Sequence, residues 1–154
     1  MKLSPQDQQI VDRMQPGVLC KDGFLGTDSR SLGEILQHDQ SIVESLDTSH
    51  EEIAEKLDDV VKKAMACYGT PAAVGPHLEA VYLEAMGRIP CPFGGEGLVF
   101  AKGEVELTQT QTGEVINFTP LSVHLIRQHG FYQGKGSRYR IDPEKVASML
   151  IPDI

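Results

Sequence analysis

The amino-acid sequence predicts an α+β fold: N-terminal helices followed by a small antiparallel sheet with two further short helices. Three observations predict it. Apolar side chains recur at helical spacing from Leu32 to Met65; beyond the Gly/Pro-rich stretch YGTPAAVGPH (68–77) that spacing gives way to alternation; and five segments open on a side chain suited to capping a helix. At 154 residues the chain has the length of a single domain, 1–154, with a mainly helical part over 1–70 and a sheet-containing part over 77–151 that carries a basic motif.

Ser4-Pro5 is an N-cap followed by proline at the first helical position, so a short helix is expected to about Met14, stopped by Pro16-Gly17. GVLCKDGFLGTDSR reads as glycine-punctuated loop or a short strand. Ser31-x-x-Glu34 has the form of a capping box ahead of Leu32, Ile35, Leu36, Ile42, Val43 and Leu46. Thr48-x-x-Glu51 has the same form, and Ile53, Leu57, Val60, Val61, Ala64 and Met65 make the apolar stripe of a helix over about 50–67. Its acid-first pairs Glu52/Lys56, Asp58/Lys62 and Asp59/Lys63 are four apart. HLEAVYLEAM reads as a strand, GRIPCPFGGEG as loop because prolines and glycines cannot sustain a ladder, and EVELTQT with EVINFT as a hairpin around Gln111-Thr112-Gly113. Thr119-Pro120 and Gly130 bracket a short helix, LSVHLIRQH. After it RYRI is expected as a strand, and Asp142-Pro143 opens a last helix that Pro152 ends.

Composition excludes several classes of function. The net charge is −8, which repels polyanions and anionic membranes, so no nucleic-acid or membrane partner is expected. The paired helices over 31–66 would expose Glu51, Glu52, Glu55, Asp58 and Asp59 where a DNA-reading helix needs cations. No apolar run approaches the ~20 residues that span a bilayer, and the N-terminal stretch lacks a signal-peptide core. Cys20, Cys67 and Cys91 are odd in number and widely spaced, which suits reduced thiols and a cytoplasmic location.

Charge is unevenly spread. Residues 121–141 hold Arg127, Lys135, Arg138 and Arg140 and no carboxylate, a local +4 against −12 for the remainder. Within them Gly134-Lys135-Gly136-Ser137 lets backbone N–H groups converge on an anion beside a lysine. It is not a P-loop, since three residues rather than four follow Gly130 before Gly134 and a helix precedes it. Tyr139 stands where a dinucleotide fingerprint needs its third glycine. Arg138 and Arg140, two apart on a strand, would share one face and offer forked donors to a carboxylate or phosphate; pairing with the chain's own carboxylates is the alternative. His124 and His129 lie five apart, about 140° around a helix, so they are expected to diverge rather than chelate one ion. Cys91 could supply a third ligand, but a lone cysteine in a Pro/Gly loop is a weak signal against the ligand sets typical of zinc, so no metal site is expected.

LGTDSRSLGEIL, TSHEEIAEKL, IPCPFG and HLIRQHGFYQGKGSRYRI together resemble a functionally unassigned group of small bacterial cytosolic proteins sharing an HGFxxGKGSxxR-like motif, over residues 24–142. The resemblance implies a bacterial cytoplasmic setting and no activity or cofactor. The residues themselves point to a binding module for an anionic small molecule or an acidic protein surface, through His124, His129, Gly134, Lys135, Gly136, Ser137, Arg138 and Arg140. One alternative is an enzyme with His124 or His129 as acid or base and Lys135, Arg138 and Arg140 holding an anionic substrate. Another is a structural protein forming a homodimer through its helices.

Overall fold

The computed structural model describes residues 4–94 and 97–151. Three helices come first, α1 (Pro5–Arg13), α2 (Leu32–Ser45) and α3 (His50–Met65), then six strands and the helices α4 (Pro120–His129) and α5 (Pro143–Leu150). β1 (Ala72–Gly75), β2 (Leu78–Leu83), β5 (Glu104–Gln109) and β6 (Val115–Phe118) form one antiparallel sheet in the order β1-β2-β5-β6, and β3 (Arg88–Pro90) pairs with β4 (Val99–Ala101) in a second. The fold is α+β, as the sequence predicts.

Local chemistry accounts for the helix ends. Ser4, Ser31 and Thr119 each accept from the backbone N–H of the third residue on; at Ser31 and Thr119 the third residue's side chain bonds back in a full capping box. Asp142 caps α5, with proline next. α3 departs by one residue from the expected box: Ser49 is its N-cap, while Thr48 bonds the Glu52 carboxylate instead. The pairs Lys62–Asp58 and Lys63–Asp59 form at 3.0 and 2.9 Å.

α3 lays Ile53, Leu57, Val60, Val61 and Ala64 on the inward face of the sheet, made by Leu78, Ala80, Val105, Leu107, Ile116 and Phe118. Alternation sets that face, with Ala80 opposite Leu107 and Glu79 opposite Thr108, so a one-residue slip would put Glu106 into the core. Each large side chain so buried contributes roughly 1.5–3 kcal/mol. A second cluster gathers Met14, Phe24, Ile35, Ile89, Cys91, Leu121, Leu125 and Phe131. α4 is the wedge between the two, sending Val123 and Ile126 into the first and Leu121 and Leu125 into the second.

Three expectations are corrected. The Gly/Pro-rich stretch before His77 contains β1, a four-residue edge strand that follows Pro71 and bulges between Ala73 and Gly75. The stretch read wholly as loop contributes β3, whose Pro90 lies at the strand's end; Gly95 and Glu96 of that stretch, like Pro152, lie outside the described residues. Residues 138–141 form no strand. Arg140 N–H closes a turn onto Ser137 O, and Ile141 N–H bonds Tyr132 O, so these donors are used locally.

Candidate metal centre and the basic loop

α4 ends where Gly130 takes a left-handed conformation, φ 60°, and its N–H bonds back to the helix, a turn that suits glycine. His129 is thus the helix's last residue and His124 lies inside it. Both are half-buried, and their rings meet edge to face with centroids 5.5 Å apart. The expected divergence describes the Cα–Cβ directions only. The imidazoles swing back toward one another, His129 lying flat on Phe93 (3.9 Å, 3° between planes) and His124 against Phe100 (4.8 Å).

Cys91 joins them. It follows β3, is buried, and its Sγ is 3.6 Å from His129 Nε2. One donor atom from each of Cys91, His124 and His129 lies within 4.8 Å of the other two. The expected divergence, on which the expectation of no metal site rests, is therefore corrected: an angle counted along the helix leaves out side-chain reach and the loop that brings the sulfur.

The loop is itself anchored. Arg13, the last residue of α1, donates from Nε to Pro92 O (2.6 Å) and from Nη2 to Phe93 O (3.0 Å). Phe93 also meets Phe131 edge-on. The side chain that orients His129 is therefore held by α1 on one side and the second cluster on the other.

The basic loop lies elsewhere in purpose. Gly134 N–H bonds Phe24 O at 2.9 Å, Lys135 N–H bonds an Asp28 carboxylate oxygen at 3.0 Å, and Lys135 O accepts from Thr27 N–H at 3.0 Å. The two backbones approach so closely that a Cβ on Gly134 would stand 2.2 Å from Leu25 O, and one on Gly136 2.6 Å from Thr27 Oγ1. Ser137 Oγ bonds Gln133 Oε1 at 2.6 Å. These glycines and donors clasp the FLGTD segment of the chain. Asp28 is held by Arg30 (2.7 Å) well below the usual carboxylate range, so it is an anion throughout neutral pH.

Arg138 and Arg140 do not share a face. Arg138 Nη2 reaches Glu104 at 3.0 Å and keeps most of its side chain in solvent; Arg140 turns inward, forking onto Asp39 at 2.5 and 2.9 Å and onto Gln133 O at 2.8 Å. The Lys135 side chain is exposed. Arg138 and Arg140 thus each pair with one of the chain's own carboxylates, and neither pairing brings the guanidinium to His124 or His129.

Sequence reasoning missed Asp39, Asp28, Tyr132 and His50. His50 Nδ1 is 2.9 Å from the Tyr132 hydroxyl, and burial pushes the phenol up and the imidazole down. Asp39 did leave a signal: it sits four residues after Ile35 and four before Val43, in the middle of an apolar stripe where a carboxylate needs a buried partner. Among the described residues no helix is long and apolar enough to cross a membrane. No family model, no curated protein and no solved structure matches the chain.

Proposed function

We propose that this protein is a zinc-binding protein whose centre is built by Cys91, His124 and His129. The observation that carries the reading is the mutual spacing of their donor atoms. Zn–S near 2.3 Å and Zn–N near 2.0–2.1 Å at a tetrahedral angle put sulfur and nitrogen about 3.6 Å apart, and Cys91 Sγ stands 3.6 Å from His129 Nε2. With all three atoms within 4.8 Å, a modest inward turn of His124 completes the set. Thiolate and imidazole together suit zinc, a borderline-soft ion, better than calcium or magnesium, which take oxygen.

Bound there, the ion fastens the loop after β3 to the C-terminal half of α4. Among the described residues three side chains supply donors, one short of a tetrahedron. The basic loop supports anion binding less directly, because its backbone donors and Arg140 already have partners within the chain.

Elemental analysis of reduced protein and a zinc titration against a chromophoric chelator test the reading. The expected result is close to one zinc per chain, with affinity lost in Cys91→Ser and in His129→Ala, and a sulfur-to-metal charge-transfer band when cobalt replaces zinc. Protein that neither carries zinc nor competes for it would overturn the reading and leave Cys91–His129 as a thiol–imidazole hydrogen bond.

A further inference from the structure

A cavity of about 250 Å³ opens beside the basic loop, between it and the turn that follows α1. Part of its wall is apolar, with Phe24, Ile89 and Leu121, all nearly fully buried. Three cationic residues, Lys21, Lys102 and Arg138, line it against one carboxylate residue, Asp22, with Glu104 paired to Arg138 beside it, which still leaves one positive charge in excess. In a chain of net charge −8 that is a local reversal of sign. The metal-centre residues Cys91, His124 and His129 do not line it, so a ligand in this cavity is independent of zinc.

We propose that this cavity binds a compact organic anion: a carboxylate or phosphate head on a small apolar body. The head belongs at Arg138. Its guanidinium spends Nη2 on Glu104 at 3.0 Å, with the side chain 58% exposed, so further donors of the fork remain for an oxyanion at little cost in desolvation. Tyr139 supports it from behind, its ring 5.3 Å from the Arg138 guanidinium carbon and its hydroxyl on the same Glu104 oxygen at 3.4 Å. Lys102, which lies over Gly87, and Lys21 add charge without geometry of their own.

The body belongs against Phe24, Ile89 and Leu121. These belong to the second hydrophobic cluster, whose packing keeps the wall formed without ligand. The volume lies just below the range of about 300–1,000 Å³ usual for drug-sized ligands, which limits the body to something near a single ring or a short branched chain. An inorganic ion alone would leave the apolar wall unused, and a neutral molecule would leave the cations unused. The combination selects the organic anion.

Calorimetric titration and thermal shift at constant ionic strength test this with benzoate and phenyl phosphate as probes. Benzamide serves as the neutral isostere, and acetate and inorganic phosphate as heads without a body. At least one of the two aromatic anions is expected to bind saturably and raise the melting temperature, at least tenfold more tightly than benzamide or its bare head. Which one binds better distinguishes a carboxylate from a phosphate ligand. Arg138→Gln should weaken binding at least tenfold and Lys62→Ala, on the far side of α3, should not. Because Arg138→Gln also removes the Glu104 pair, Ala101→Leu is the second variant: it narrows the cavity with every charge in place and should weaken binding too. Failure of both aromatic anions to bind overturns the proposal, as does binding unchanged in both variants. Equal binding of the bare heads overturns the apolar half of it and reduces the site to a charged surface.

Discussion

Asp39 has no exposed surface, and both of its carboxylate oxygens accept from the guanidinium of Arg140, 101 residues away in the chain, at 2.5 and 2.9 Å. One donor of the same guanidinium also satisfies Gln133 O at 2.8 Å. The pair ties α2 to the segment after the basic loop and uses, within the fold, one of the residues that in sequence look suited to hold a ligand. The arginine fork matches a carboxylate whether that carboxylate is foreign or the chain's own; only the three-dimensional placement of Asp39 decides between them.

Removing one partner should be far worse than removing both. Arg140→Ala leaves a carboxylate buried without its cation, and a loss of roughly 3–5 kcal/mol in denaturant unfolding is expected. Arg140→Ala/Asp39→Leu should recover a substantial part of it. If the single variant unfolds at wild-type denaturant concentration, the pair is not the fastening that the geometry indicates.

The clasp between the FLGTD segment and the basic loop predicts a contrast between two glycines. A Cβ on Gly134 meets backbone at Leu25, which cannot rotate away, whereas one on Gly33 in α2 meets nothing within 4 Å. Gly134→Ala should therefore destabilise by about 1–3 kcal/mol, the usual cost of overpacking, while Gly33→Ala should be neutral or stabilise by about 0.4–1 kcal/mol. Thermal melts of the two variants check it, and equal melting temperatures would contradict the close approach.

Leu57 is fully buried in the centre of the α3 stripe, and Glu55 on the same helix is exposed. Leu57→Ala should cost roughly 2–5 kcal/mol, and Glu55→Ala within about 0.5 kcal/mol. Comparable losses from the two would mean that α3 does not present that stripe to the sheet.

The five helices of the described residues are legible in the sequence because each rests on short-range signals, a capping side chain in every case and a repeat of apolar positions in α2 and α3, that act within one or two turns. The β5–β6 hairpin is legible for the same reason. β1, β3 and β4 are not, because strands of three or four residues carry too little alternation to outweigh the Gly and Pro around them, even though each pairs with a strand next to it in the chain. The candidate centre divides the same way. His124, His129 and Cys91 each stand out as chemistry, yet their meeting depends on Arg13 holding the Pro92–Phe93 loop and on Phe93 setting the plane of His129, contacts between residues about 80 and 36 positions apart. Angle counting on one helix has no access to either. The arginines fail differently: residue type predicts that they pair with a carboxylate, and nothing local names which.

His50 gives the fold a pH dependence of defined sign. Its imidazole lies against Tyr132, and burial lowers its pKa, with Asp39 and Glu44 opposing that shift only in part. A group whose folded pKa is depressed contributes stability that is fully present above its unfolded value, about 6.5, and is lost as pH falls through the folded value, because the unfolded chain takes up the proton first. The phenol stays protonated, since burial raises its pKa, and its oxygen lies 2.9 Å from His50 Nδ1. Asp28 titrates in a separate, more acidic window: Arg30 depresses it, so its contribution holds above about pH 4 and fades below. Unfolding free energies measured from pH 8 to pH 5 should therefore fall for the wild type, and fall less for His50→Gln, which keeps a polar side chain at that position and cannot titrate. Using the difference between the two proteins removes the contribution of the other histidines and of any bound metal that both share. Parallel pH profiles would show that His50 is not the group responsible, and a wild type that gains stability toward pH 5 would reverse the assigned sign.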